Sequence, residues 1–177
     1  KRLRKERLDL VQFHWWDYGV PGCVDTAMHL VKLKEKGLIA NIGTTNFDTD
    51  RLRALLDAGV PVVSNQTQYS LLDRRPEKKM AALCRERGIK LIGYGSLSGG
   101  FLSERWLGAP RPASVSDLEN RSLVKYSLVI EDSLGWEGYQ RLLALLKGMA
   151  DAKGCSVSNL ASSYVLHKEA VAAVIVG

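Results

Sequence analysis

Short apolar runs alternate with amphipathic segments along most of the chain. Residues 8–14, LDLVQFH, form an apolar run without helical spacing, which is typical of a buried strand. Residues 24–36 then repeat apolar side chains at close to the helical period, and Gly37 follows as a stop. Strands and helices repeat their apolar positions with different periods, so the change of period separates two elements. These residues are therefore predicted to form a strand followed by a helix.

The same alternation recurs further along the chain. Asp48 is a predicted N-cap, and Ser156 opens the last predicted helix. Further strands are predicted at 39–46, 61–68, 89–97 and 170–177. Further helices are predicted at 48–59, 76–88, 139–154 and 156–168. Residues 98–135 interrupt the pattern with Gly, Pro and Ser, and predict a long loop that closes over a ligand or an insertion with its own short helix.

Five strands that alternate with helices predict an α/β fold with a parallel sheet covered by helices. An open doubly wound sheet and a (β/α) barrel both fit this order. Four consecutive strands end in polar or special residues, namely His14, Thr45 with Asn46, Gln66 and Tyr94. A barrel gathers such residues at the rim formed by its strand ends, whereas an open sheet concentrates them at one switch point. The pattern therefore favours the barrel.

The segment GYGSLSGG resembles a dinucleotide fingerprint only in part. Gly93 and Gly95 are present, but Ser98 stands where the third glycine is required. A nucleotide is therefore not expected to bind in the Rossmann manner.

Composition and charge narrow the classes of partner. The chain has 177 residues, is 46% hydrophobic and carries a formal charge of +6. Its basic residues are scattered without interleaved aromatic residues, so no nucleic-acid partner is predicted. No apolar run reaches about 18 residues, so no membrane span is expected.

The three cysteines bear on metals and compartment. Cys23, Cys84 and Cys155 lie far apart, which predicts neither a metal site nor a disulfide framework. The absence of a disulfide framework predicts a reducing compartment such as the cytoplasm or an organelle stroma. The basic segment KRLRKERLDL lacks the apolar region of a signal peptide, so no targeting segment is expected.

Four segments, in this order and spacing, carry a family resemblance: LDLVQFHWWD, LKEKGLIANIGTTNF, VSNQTQYSLL and GYGSLSGGFL. Together they resemble the later two-thirds of an aldo-keto reductase. That family is a (β/α)8 barrel of the TIM type that reduces carbonyls with NADPH. The resemblance implies one domain over residues 1–177, a partial barrel of about five parallel strands with a long loop at 98–135.

The resemblance implies roles for the strand-end residues. His14 matches the histidine that orients and polarises the substrate carbonyl. Asn46 and Gln66 match residues that hydrogen-bond the nicotinamide carboxamide, and Thr45 keeps the hydroxyl of the serine usual beside that asparagine. Tyr94 matches the ring on which the nicotinamide stacks. Taken without the resemblance, the same residues read as a core histidine, turn and strand-end polar groups, and a core tyrosine.

The resemblance also assigns the segment after Tyr94. Gly95, Ser96, Leu97 and Gly100 match a loop along the NADPH pyrophosphate, where small residues let backbone N–H groups approach phosphate oxygens. Gly95 and Ser96 replace the usual Ser-Pro of the family.

Trp15 and Trp16 are predicted to wall a substrate site. Adjacent strand residues face opposite ways, so at least one of the pair is expected to pack elsewhere.

Several residues of the family have no match in the sequence. In the family, the second and third strands carry the acid tyrosine, its partner lysine and an aspartate, and these strands are expected before Lys1. The family's contacts to the adenosine 2′-phosphate follow the glycine that is matched by the last residue of VIVG. The alternatives are part of a longer reductase, missing strands supplied by another chain, or a fold reused without chemistry. The expected function is an NADPH-dependent carbonyl reductase or alcohol dehydrogenase acting on a small carbonyl or alcohol substrate. The other reading is a truncated, non-catalytic binding or structural subunit. Substrate and oligomeric state are left open.

Overall fold

The computed structural model describes residues 3–176, which form five strands and six helices. The strands are β1 (Val11–His14), β2 (Ile42–Thr45), β3 (Val62–Gln68), β4 (Lys90–Tyr94) and β5 (Val171–Ile175). The helices are α1 (Cys23–Glu35), α2 (Thr49–Asp57), α3 (Lys79–Glu86), α4 (Arg121–Ser133), α5 (Gly135–Lys153) and α6 (Val157–Leu166).

The strands form one parallel sheet in the order β1-β2-β3-β4-β5. Spatial order thus equals chain order, because each new strand is added beside the previous one after a helical crossover. A doubly wound sheet reverses its strand order at a switch point, and this sheet has no such reversal. The predicted α/β class is confirmed, with the strand succession of a barrel segment.

The chain divides into two compact units. The first comprises Lys1–Thr67 and Pro76–Ile92, and the second comprises Gln68–Arg75 and Gly93–Gly177. The core of the first unit contains fully buried Ile42, Leu52 and Leu83. The Asp48 side chain caps α2 by accepting a hydrogen bond from the Arg51 N–H at 2.9 Å, as the sequence predicts. The single domain predicted over 1–177 stays a prediction.

One of the two alternatives predicted for residues 98–135, an insertion with its own short helix, describes this part of the second unit. Residues 121–133 form the thirteen-residue helix α4, and only short 3₁₀ turns precede it. The Asn120 side chain caps α4 by accepting from the Leu123 N–H at 3.0 Å. Leu123, Tyr126 and Ile130 are buried at helical spacing, so α4 is fixed by packing that Gly and Pro in the preceding residues obscured.

Two negative findings apply to residues 3–176. No helix there combines the length and apolar character needed to cross a membrane. In the same residues, no group of three His, Cys, Asp or Glu side chains is arranged to hold a metal ion.

Candidate functional site

The ends of the first three strands bring three predicted residues into one row. His14 pairs in register with Thr45, and Thr45 pairs with Gln66. Register partners on neighbouring parallel strands lie about 4.8 Å apart and point to the same face of the sheet. His14 is exposed, whereas Thr45 and Gln66 are half-buried. These three residues, here called the strand-end row, therefore present an imidazole, a hydroxyl and an amide side by side.

Asn46 follows this row in an unusual backbone conformation. Its φ is +60°, in the left-handed region that asparagine tolerates better than most residues. Its N–H donates to the Gln66 carbonyl at 2.8 Å, which ties the end of β2 to β3. Asn46 is exposed and also makes the turn into α2. Its geometry is consistent with both the carboxamide-binding role and the helix-entry role.

A buried asparagine that the sequence analysis missed supports this turn. The Asn65 side chain is fully buried; its Nδ2 donates to the Phe47 carbonyl at 3.0 Å, and its Oδ1 accepts from Thr44 Oγ1 at 3.0 Å. Phe47 follows Asn46 directly, so Asn65 fixes the backbone on which Asn46 stands. The signal was the polar run SNQT, which directly follows two valines within the same strand.

A second polar row lies two residues before the strand-end row on each strand. Gly43 pairs in register with Gln12 and Ser64. A Cβ on Gly43 would lie 2.1 Å from Gln12 Oε1 and 2.6 Å from Ser64 Oγ, so these side chains occupy the space above the glycine. Gln12 Oε1 and Ser64 Oγ are both buried and have no hydrogen-bond partner within residues 3–176. A Cβ at Gly43 would therefore require the Gln12 and Ser64 side chains to shift.

The two tryptophans that follow β1 make different contacts. The Trp16 ring lies beside the His14 ring, with centroids 4.9 Å apart, and 88% of Trp16 is exposed. Trp15 instead packs near Phe13, with centroids 5.9 Å apart, and its indole N–H donates to the Val20 carbonyl at 3.2 Å. The predicted substrate role of the pair stays a prediction, and the geometry favours Trp16.

Tyr18 lies near the turn that carries Asn46, and its phenol is uncharged. Its hydroxyl lies 3.5 Å from the Asn46 carbonyl, and the Arg51 guanidinium stacks 3.9 Å from its ring centroid. Burial raises the pKa of Tyr18 to about 12, with Cys23 and Asp48 adding to the rise and Arg51 opposing it. The phenol therefore stays protonated at neutral pH and donates a hydrogen bond to the turn that carries Asn46.

The predicted pyrophosphate loop lies in the second unit, where it lines a cavity of about 230 Å³. Gly95, Gly99 and Gly100 have φ of +66°, +66° and +100°, and Ser98 has φ of +49°. Such left-handed residues turn the backbone sharply. Ser96 is 1% exposed, and its hydroxyl has no partner within residues 3–176. The cavity is lined by Tyr94, Gly95, Ser96, Leu97, Gly99, Ser122, Tyr126, Ile175 and Val176. Of the predicted cofactor residues in this unit, only Gly100 does not line it.

The buried carboxylate of Asp73 stabilises the segment that precedes α3. Asp73 is 5% exposed and accepts hydrogen bonds from Arg75 Nε at 2.8 Å, Arg75 Nη2 at 2.6 Å and Gln68 Nε2 at 2.8 Å. Burial acts to raise the pKa of Asp73, but the hydrogen bonds and charge of Arg75, together with Gln68, hold it below its usual value. This pair was not predicted from the sequence.

Comparison with known proteins identifies the relatives of the chain. The family model for the aldo/keto reductase family matches residues 1–177. Flagellar radial spoke protein 5 of Chlamydomonas reinhardtii is 34% identical over 173 residues, which cover 88% of this chain and 33% of that protein. The chloroplastic pyridoxal reductase of Arabidopsis thaliana is 27% identical over 96% of this chain and 45% of its own length. The chain thus spans between a third and a half of the length of these relatives.

Solved structures agree with this assignment. The glycerol dehydrogenase AKR11B4 of Gluconobacter oxydans superposes with a TM-score of 0.79 and 25% identity. The match covers 98% of this chain and 50% of that one. The five-stranded sheet therefore corresponds to about half of a complete reductase fold.

Proposed function

Because this chain belongs to the aldo/keto reductase family, we propose that it takes part in NADPH-dependent hydride transfer to an aldehyde or ketone, or in the reverse oxidation of an alcohol. The observation that carries the proposal is the strand-end row. His14, Thr45 and Gln66 share one register row, and the Asn46 N–H is bonded to Gln66. Two amide side chains, a hydroxyl and an imidazole are thereby brought to neighbouring strand ends.

The residues present fit a nicotinamide dinucleotide. An amide side chain both donates and accepts, so Asn46 and Gln66 can each satisfy one half of the nicotinamide carboxamide. The left-handed glycines and the unpartnered Ser96 hydroxyl suit the approach of an anionic diphosphate. Bound NADPH supplies a hydride from nicotinamide C4. Within the first unit, orientation of the nicotinamide is assigned to Thr45, Asn46 and Gln66. Within the second unit, stacking on the nicotinamide is assigned to Tyr94, and contact with the diphosphate to Gly95, Ser96, Leu97 and Gly100.

His14 is assigned to the carbonyl oxygen. A neutral imidazole N–H that points at this oxygen stabilises the negative charge that develops as hydride arrives. The exposed position of His14 at a strand end leaves its ring accessible to a substrate, and the neighbouring Trp16 offers an apolar wall. The proton that completes the alcohol comes from the acid tyrosine of the family, which matches no residue of this sequence.

The test separates turnover from cofactor binding in the protein of natural length. His14→Ala is expected to lower kcat by about a hundredfold or more, the range found when one oxyanion donor is removed. The NADPH Kd is expected to stay within about twofold, since His14 is assigned to the substrate and not to the cofactor. His29→Ala, an exposed histidine on α1, serves as the matched control and should change neither quantity. Unchanged turnover in His14→Ala would refute the assignment.

A second candidate function has one observation in its favour. The relative at 34% identity is named as a flagellar radial spoke protein, a name that gives a place in an assembly and no reaction. The second proposal is accordingly a non-catalytic subunit that keeps the fold and some dinucleotide affinity. It predicts NADPH binding with no carbonyl reduction by the natural-length protein across a panel of aldehydes and ketones.

A further inference from the structure

Helix α4 packs directly on the loop after β4, within the second unit. A Cβ on Gly95 would lie 1.9 Å from the Tyr126 hydroxyl. A Cβ on Gly99 would lie 2.7 Å from Tyr126 Cδ2 and 3.0 Å from Ser122 Oγ. Both glycines have positive φ, so their backbone conformation and the space above them both exclude larger residues. The loop and α4 are therefore matched to one another.

This contact gives the 230 Å³ cavity a polar side made by α4. Ser122 and Tyr126 line the cavity together with Gly95 and Ser96. Burial raises the pKa of Tyr126 to about 12, with Tyr94 and Asp73 adding to the rise, so its hydroxyl stays protonated and able to donate. Four hydroxyl-bearing side chains, those of Tyr94, Ser96, Ser122 and Tyr126, thus line one cavity, and the Ser96 hydroxyl is buried without a partner in the described part of the chain.

A positive charge lies beside the same cavity. The Lys125 ammonium is 5.2 Å from the Tyr94 ring centroid and 4.9 Å from the Tyr126 ring centroid. Both rings line the cavity, and their faces attract a cation. Partial burial lowers the pKa of Lys125; the charge of Asp73 opposes this change and the charge of Arg75 adds to it.

We propose that α4 is a second binding element for the cofactor diphosphate, in which the Ser122 and Tyr126 hydroxyls donate to phosphate oxygens and the Lys125 ammonium offsets their charge. The inference rests on the proposed function and extends it, because none of these three residues belongs to the loop that the family resemblance assigns. Hydroxyl donors and a lysine are suitable partners for a dianionic diphosphate, and the buried Ser96 hydroxyl gives the site its inner donor.

The experiment measures the Kd of NADPH and of NADH by nicotinamide fluorescence in the natural-length protein. Lys125→Met keeps most of the side-chain volume and removes the charge. Loss of one charge-assisted phosphate contact is expected to raise Kd by about tenfold for both dinucleotides equally. Lys125→Arg should recover most of the affinity, and Ser122→Ala should weaken both dinucleotides by a smaller common factor. Lys147→Met, which removes an exposed ion pair with Asp151 on α5, is the control and should leave both Kd values unchanged.

The outcomes separate this inference from the proposed function. Equal loss for NADPH and NADH supports a diphosphate contact, because the two differ only in the 2′-phosphate. Loss confined to NADPH would place Lys125 at that phosphate and overturn the inference. Unchanged Kd values in Lys125→Met and Ser122→Ala would also overturn it while leaving the proposed function intact. Failure of the unaltered protein to bind either dinucleotide would overturn both.

Discussion

Asn65→Ala tests the support of the turn that carries Asn46. The side chain is fully buried; it donates to the Phe47 carbonyl and accepts from Thr44 Oγ1, each at 3.0 Å, and its Nδ2 also donates to Met80 Sδ at 3.7 Å. Thr44 Oγ1 keeps a contact of 3.2 Å with the Ser64 carbonyl after truncation, but the Phe47 carbonyl loses the Asn65 donor. An unsatisfied buried carbonyl costs about 1–3 kcal/mol, and the lost bond with Thr44 adds about 0.5–1.5 kcal/mol. The expected loss of unfolding free energy is therefore about 1.5–4.5 kcal/mol, before any contribution from the cavity left behind.

Equilibrium urea unfolding measures this loss. Asn41→Ala is the matched control, because exposed Asn41 makes one hydrogen bond, from its Nδ2 to the Asp9 carbonyl at 3.0 Å. Exposed substitutions of this kind change stability by about 0.5 kcal/mol or less. NADPH affinity should fall in Asn65→Ala and not in Asn41→Ala, since only the former loosens the backbone beside Asn46. Equal stability of the two variants would refute the role given to Asn65.

Three further predictions concern stability. Gly43→Ala should destabilise the protein by about 1–3 kcal/mol, because the new Cβ would overpack against Gln12 and Ser64. Gly148→Ala in α5 meets no atom within 4 Å and should stabilise the protein by about 0.5–1 kcal/mol. Thermal unfolding compares the two variants, and a Gly43→Ala variant as stable as Gly148→Ala would contradict both expectations. Asp73 has a lower pKa folded than unfolded, so its contribution is present above about pH 4 and is lost as the pH falls through the folded value. The stability gap between the unaltered protein and Asp73→Asn should therefore narrow on acidification, and a gap independent of pH would contradict the linkage. Ser156→Ala removes the capping box of α6 and should lower the free energy of unfolding by about 1 kcal/mol. Urea unfolding measures this loss, and an unchanged stability would contradict it.

The sequence predicted those elements whose local signals agree with their tertiary setting. All five strands lie inside predicted runs, and the predicted caps Asp48 and Ser156 both accept hydrogen bonds from the first turn of their helices. The sequence also predicted that the strand ends lie side by side, and His14, Thr45 and Gln66 do share a register row. Parallel strands of similar length bring their carboxyl ends to one edge, so period alone was sufficient there.

The rest depended on contacts between residues far apart in the chain. Helix α4 was predicted only as one of two alternatives and without bounds, because its apolar positions Leu123, Tyr126 and Ile130 follow a stretch dominated by Pro, Gly and Ser. The role of Asn65 could not be predicted, since a polar residue in a strand is satisfied only by partners that the fold supplies. The separate placement of Trp15 and Trp16 agrees with the expected alternation along a strand, which puts Trp16 on the side of His14 and Trp15 on the side of Phe13.

The most direct test of the central claim is transfer of deuterium from NADPH labelled at nicotinamide C4 to a carbonyl substrate, followed by mass spectrometry of the alcohol. The natural-length protein is incubated with a panel of aldehydes and ketones, with His14→Ala in parallel. The account predicts deuterium on the former carbonyl carbon with the unaltered protein and a greatly reduced yield with His14→Ala. Binding of NADPH without label in any product would contradict hydride transfer and favour the non-catalytic subunit.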